Sequence, residues 1–214
     1  YRLVYFLYLC QVNQKSTMSK AENTRRTIIE KSAPIFNIKG YGGTALSDIM
    51  EATGLSKGSI YGNFENKDEV AVAVYQYNID LMASKFAEAM QDKKTASAKL
   101  IAFTGYYRDN WKSFFERGGC PIQNAAVEAD DNAPFLKKHV QNSVTRWVKS
   151  FSTIIEQGQK AGTLKKKVNA EEFAYDMLTT VEGGVMLAKI MNNPQILFKA
   201  LDKIVLRIHT ELEK

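Results

Sequence analysis

Cysteine and histidine are almost missing from this chain of 214 residues, which has two of each: Cys10 and Cys120, His139 and His209. Two cysteines cannot build a disulfide framework, so the composition points to a reducing, cytoplasmic setting. No Cys/His cluster has zinc-ligand spacing, and neither a metal nor another cofactor is expected. Proline occurs only four times, so long regular elements meet few breaks. No run alternates polar and apolar residues with period two between turn pairs, which argues against a sheet protein. The aromatic stretch from Tyr1 to Leu9 falls far short of the roughly 20 residues a membrane-spanning helix needs, and no membrane partner is expected. Phosphate-binding loops, dinucleotide-binding glycine patterns and nucleophile elbows are absent as well. An enzyme is therefore not expected. The one thiol-based candidate, Cys120 with His139, has nothing else in the sequence to support it.

What is present is ordinary globular material. Hydrophobic residues make up 45% and charged residues 24%, enough for a core and too apolar for disorder. The net charge of +6 is not concentrated. Residues 18–70 hold seven Lys/Arg against seven Asp/Glu, so binding of an anionic partner must come from local placement. Residues 1–17 differ in character from the chain beyond Met18. They resemble the apolar part of a signal peptide without a small-residue cleavage site. We expect an upstream or non-native extension there, with a membrane- or partner-binding peptide as the rival reading.

From Met18 onward the periodicity is helical. Leu100, Phe103, Tyr107, Trp111 and Phe114 recur every three or four residues, as do Leu197, Leu201, Ile204, Val205, Ile208 and Leu212. Helix starts are marked by Asn66 and Asn169, each three residues ahead of a glutamate, and by Asn193 before Pro194. The pattern predicts an all-α chain with helices over 20–39, 45–53, 57–64, 67–91, 95–117, 123–130, 133–161, 170–191 and 194–213. Pro34 should kink the first of them.

The informative stretch runs from Thr44 to Val70. Thr44 suits the N-cap of one short helix, Gly54 suits its left-handed end, and Ser56 suits the N-cap of the next. Two short helices about a tight glycine turn make a helix-turn-helix. Ile60 and Phe64 would anchor the second helix. Its outward residues would be Lys57, Gly58, Ser59, Tyr61, Gly62 and Asn63, and residues 56–64 contain no Asp or Glu. A helix that enters a major groove needs small residues at its tip and no carboxylate beside phosphate.

Here the sequence resembles the DNA-binding region of the tetracycline-repressor (TetR/AcrR) family. The likeness lies in Phe36, Gly40-Tyr41, Thr44, Asp48-Ile49, Ala52, Gly54-Leu55-Ser56-Lys57-Gly58, Ile60-Tyr61, Phe64 and Lys67-Asp68-Glu69-Val70, of which some fifteen match the family pattern in order. The resemblance implies a helix-turn-helix domain over 18–66 and a helical effector-binding and dimerisation domain over 67–214. It implies a repressor that binds a palindromic DNA operator as a homodimer and is released by a small-molecule effector. It implies phosphate contacts from Thr44 and Ser56, groove contacts from Lys57, Gly58, Ser59 and Asn63, and backbone clamps from Tyr61 and Lys67. Asn63 is the best single base reader, because its amide can pair with adenine. Gly62 departs from the family pattern, which often has a larger side chain there.

The rest of the chain is similar to the family only in architecture. Trp111, Phe115, Cys120, Trp147 and Met177 are candidate effector-pocket walls. Gly183 and Gly184, with Leu201, Ile204 and Ile208, are candidate dimer contacts on the last two helices. Cys120 follows Gly118-Gly119, which leave it little side-chain cover, so a thiol-based electrophile sensor is an alternative to a non-covalent effector. A helical protein-binding adaptor is a further alternative.

Overall fold

The computed structural model describes residues 19–214, and the expectations for residues 1–17 and for Cys10 lie outside them. The described residues form nine α-helices and no strand. These are α1 (Lys20–Lys39), α2 (Leu46–Thr53), α3 (Lys57–Tyr61), α4 (Lys67–Met90), α5 (Ala96–Glu116), α6 (Pro121–Asp131), α7 (Lys137–Lys160), α8 (Ala170–Ile190) and α9 (Pro194–Arg207). A 3₁₀ turn at Pro134–Leu136 precedes α7, and a π turn at Ile208–Leu212 follows α9. The sequence places the elements within a few residues. It misses the 3₁₀ entry to α7, the wide last turn, and the start of α6 at Pro121, where a missing N–H costs nothing.

Local chemistry sets most of the ends. Ser19 and Glu22 form a reciprocal capping box on α1, the Ser19 hydroxyl accepting from Glu22 N at 3.2 Å and the Glu22 carboxylate from Ser19 N at 2.7 Å. Asn66 caps α4, Asn169 caps α8 and Asn193 caps α9, each accepting from backbone N–H groups of the first turn. At α4 the reciprocal arm differs from expectation, because Glu69 reaches back to Glu65 N rather than to Asn66. Helix α1 continues through Pro34 to Lys39.

Helix α1 packs on the long helix α4 and on α2, which in turn meets α3, while α4 also packs on α5, α6 and α7. One continuous apolar core runs from Ile28 to Leu212. Its centre is aromatic. Phe86 lies 4.8 Å from Phe103, 5.2 Å from Tyr107 and 5.1 Å from Trp147 between ring centroids, and Phe103 lies 4.6 Å from Phe151. Burying each large side chain stabilises the fold by roughly 1.5–3 kcal/mol. Helix α8 packs against both α7 and α9, which closes the bundle.

Candidate nucleic-acid interface

Helices α2 and α3 meet at Gly54, whose φ of +72° is a left-handed conformation that a side chain would strain. Its N–H donates to the Met50 carbonyl at 2.8 Å and closes α2. Ser56 then caps α3, its hydroxyl accepting from Ser59 N at 3.2 Å, as its position in the sequence suggests. Ile60 and Phe64 are buried beneath α3. Ser56, Lys57, Gly58, Ser59, Tyr61 and Gly62 are exposed together on its outer side. The Lys57 ammonium lies 5.9 Å from the Tyr61 ring centroid. The outer surface is therefore small, hydroxyl-bearing and singly cationic.

Three of the expected DNA contacts are placed differently. Thr44 is 1% exposed and does not cap α2; its hydroxyl donates to the Gly40 carbonyl at 2.6 Å. The cap position is Ala45, and the Asp48 carboxylate accepts its N–H at 2.8 Å while pairing with Lys39 at 2.7 Å. The Lys39 contact, then the Ala45 N–H, holds the Asp48 carboxyl below its usual range. A hydroxyl turned into the fold cannot meet a phosphate. Lys67 is half-buried, and its ammonium donates to the Thr44 carbonyl at 3.0 Å and the Tyr41 carbonyl at 3.4 Å. Two of its three donors are thus used inside, leaving one for a DNA backbone. Asn63 lies past the end of α3, half-buried, with its amide donating to the Ser59 carbonyl at 2.8 Å. That bond ties up one of the two amide hydrogens, and adenine pairing needs the other for N7 together with the amide oxygen for N6–H.

Support comes from residues that local patterns did not reveal. Arg25 of α1 lies over the Phe64 ring at 3.9 Å, donates to the Asn63 carbonyl and pairs with Glu69 at 2.7 Å. Glu69 also accepts from Glu65 N at 2.7 Å, and these two contacts, the backbone bond first, hold its carboxyl below the usual range. From α6, the Glu128 carboxylate accepts from Tyr41 N at 2.8 Å and Gly42 N at 2.7 Å in the loop ahead of α2. Gly40 permits this approach, since a Cβ there would stand 2.7 Å from Glu128 Oε1. Nearby, Asn124 donates to the Asn37 carbonyl at 2.9 Å and to the Gly118 carbonyl at 3.0 Å. The Asn37 amide in turn donates to the Arg117 carbonyl at 2.6 Å. The Asn37, Tyr41 and Gly42 contacts join residues 80 to 87 positions apart, so no sequence window holds both partners.

The remaining candidates divide. Trp147 and Met177 are core residues, and Trp111 pairs with Phe115 at 5.7 Å and with Phe198 of α9 at 6.4 Å. Cys120 is 1% exposed, and its thiol donates to Glu182 Oε1 at 3.1 Å. Burial first, then the Glu182 charge, pushes that thiol well above its ordinary pKa. Flanking glycines did not uncover it, and it pairs with Glu182, not with His139. Of the expected dimer contacts, Leu201, Ile204 and Ile208 are buried within the chain itself. Gly184 is also turned inward, where a Cβ would stand 2.9 Å from that of Ala200. Gly183 alone has open space beside it. The apolar residues exposed on these helices are Tyr175, Met186, Leu187, Ile190 and Met191 of α8 and Leu206 of α9.

A helix-turn-helix with an acid-free outer face, braced from α1 and α6 on a helical bundle, defines a DNA-binding regulator. Residues 28–74 match the family described as bacterial regulatory proteins, tetR family, and residues 96–204 match the tetracyclin repressor-like C-terminal domain. The chain belongs to the tetracycline-repressor family of transcriptional regulators. A crystal structure of a TetR-family transcriptional regulator from Cytophaga hutchinsonii is 36% identical, with a TM-score of 0.88 over 93% of this chain and 100% of that one. One from Chloroflexus aurantiacus is also 36% identical, with a TM-score of 0.84 over 92% and 99% of the two chains. The HTH-type transcriptional repressor DhaR of a Mycobacterium species is 24% identical over 79% of this chain and 84% of its own length.

Proposed function

We propose that this chain represses transcription as a homodimer on a palindromic operator in the cytoplasm, and that a small molecule received among α4 to α8 releases it. The carrying observation is the outer face of α3, where Lys57, Gly58, Ser59 and Tyr61 stand exposed with no carboxylate among residues 56–64. Ser59 and Gly58 suit close approach to base edges, while Ser56, Lys57 and Tyr61 suit phosphates. Asn63 and Lys67 serve chiefly to fix the geometry and keep one donor each for DNA.

Dimerisation supports the palindrome, because two recognition helices about 34 Å apart meet successive major grooves. The exposed apolar residues of α8 and α9 offer the surface for it, in place of the buried set expected from the sequence. The division at residues 66 and 67 serves this reading: α1 to α3 contact DNA, and the bundle carries effector and partner. The Glu128 and Asn124 contacts supply the link, since a shift of α6 moves the loop that leads into α2. Burial of Cys120 weighs against the electrophile-sensing alternative, and family membership weighs against the adaptor.

Selection of bound sequences from a random duplex pool, followed by gel shift, tests the reading. An enriched inverted repeat bound by two chains, with affinity falling steeply as salt rises, is expected. No enrichment over a Lys57→Ala, Ser59→Ala, Tyr61→Ala variant would overturn it.

A further inference from the structure

Among the described residues, the half-buried Glu182 carries a carboxylate oxygen that the fold does not account for. Glu182 lies on α8, and its Oε1 accepts the Cys120 thiol at 3.1 Å, while its backbone carbonyl accepts from Gln123 Nε2 at 3.0 Å. Its Oε2 is shut off from solvent and has no hydrogen-bond partner. None of the ion pairs among the described residues includes Glu182. The Tyr107 hydroxyl is likewise buried and unpartnered, within electrostatic reach of Glu182. Around Tyr107 the wall is aromatic, with Phe86 and Phe114 each 5.2 Å and Phe103 5.3 Å from its ring.

Such a group is costly. A buried carboxyl without a cation loses solvation that one thiol contact does not restore, and an apolar residue of like volume would serve packing better. Burial pushes the Glu182 carboxyl up to about 7, so near neutrality it stands ready to ionise against a cation. The open acceptor Oε2, an unused phenol and a wall of aromatic rings suit an ammonium N–H carried on an apolar body.

We propose that Glu182 and Tyr107 form the recognition point for the effector, and that the effector is a protonated primary or secondary amine with an apolar body. The proposal rests on the reading of this bundle as the effector-binding half. The ammonium N–H donates to Glu182 Oε2, the Tyr107 hydroxyl supplies a second polar contact, and the rings enclose the body. Signal transfer is short. Cys120, the hydrogen-bond partner of Glu182, immediately precedes α6, whose Glu128 holds the loop before α2.

The test is calorimetric titration of the full chain near pH 7 with phenethylammonium and hexylammonium chloride, against 2-phenylethanol and 1-hexanol as neutral comparators. The amines should bind at least about tenfold more tightly than the alcohols. Repeating the titration in buffers of different ionisation enthalpy should show release of about half a proton per site, because the cation drives Glu182 to ionise. Glu182→Gln should cost amine affinity about tenfold and so close the gap between the amines and the alcohols. Tyr107→Phe, which keeps the packing, should weaken the amines by about threefold. Amines and alcohols binding alike, no amine binding up to about 10 mM, or an unchanged Glu182→Gln variant would each overturn the proposal. If Glu182→Gln does not fold, proton release and Tyr107→Phe decide it: no release together with unchanged amine binding overturns it. Gel shift of the parent on selected DNA separates the two readings. DNA binding without amine binding sinks this proposal alone, and amine binding without DNA binding sinks the regulator reading alone.

Discussion

Replacing Glu128 by alanine removes the carboxylate that fixes the loop between α1 and α2. Two backbone donors lose their acceptor, Tyr41 N at 2.8 Å and Gly42 N at 2.7 Å. Tyr41 is 1% exposed, so its N–H is left with little access to water, whereas Gly42 is exposed and its N–H rehydrates. A hydrogen bond to a charged group contributes about 1.5–3 kcal/mol net. Counting the Tyr41 bond in full and the Gly42 bond at a fraction gives a loss of about 2–4 kcal/mol. In a chain of this size each kcal/mol moves the melting temperature by about 2–4 °C, so Glu128→Ala should melt about 4–16 °C lower. Glu128→Gln keeps one acceptor oxygen without the charge and should lose about half as much. Differential scanning calorimetry measures the shift. Hydrogen exchange at the Tyr41 and Gly42 amides locates it, and both should lose protection. Operator affinity should fall as well, because the loop that aims α2 and α3 is no longer held. A Glu128→Ala protein that melts within about one degree of the parent and keeps both amides protected would refute the reasoning.

Lys57→Ala should reduce the salt slope of DNA binding by about one unit with no change in thermal stability, whereas Lys67→Ala should lower both, because the Lys67 ammonium holds the Tyr41 and Thr44 carbonyls. Chemical denaturation should separate the adjacent glycines of α8. Gly184→Ala forces a Cβ to 2.9 Å from that of Ala200 and should destabilise by about 1–3 kcal/mol, while Gly183→Ala meets open space and should gain up to about 1 kcal/mol of helix propensity. The Glu182 carboxyl is raised from 4.5 to about 7, so the folded state holds its proton more tightly than the unfolded state. That contribution is fully present below about pH 4.5 and lost as pH rises through about 7, so melting curves should show the parent losing about 3 kcal/mol relative to Glu182→Gln across this window. Carboxylates such as Asp48 and Glu69 titrate alike in both proteins and cancel. Cys120 should resist alkylation at neutral pH in the folded chain on a Cys10→Ser background and react promptly in denaturant, and equal rates in the two states would contradict its burial.

The sequence by itself determined the elements whose causes are local. The helical period, the caps at Ser56, Asn66, Asn169 and Asn193, and the left-handed Gly54 each depend on residues within a turn of one another. They stand in the structure where the sequence put them. The exposed face of α3 was legible for the same reason, because Ile60 and Phe64 at i and i+4 fix which side turns inward. A stripe such as Leu197, Leu201, Ile204 and Ile208 says that one side of a helix is buried, but not against what. Only the tertiary structure showed that α8 and α5 of the same chain cover it, leaving Ile190, Met191 and Leu206 outside. A sequence shows a donor without its acceptor, so it cannot show that nearby carbonyls take the Lys67, Thr44 and Asn63 donors. The contacts of Glu128 with Tyr41 and Gly42, of Asn124 with Asn37, and of Cys120 with Glu182 join residues 62 to 87 positions apart. No propensity, cap or period reaches that far, so the brace on the recognition helices and the unpartnered Glu182 oxygen came into view only once the helices were packed.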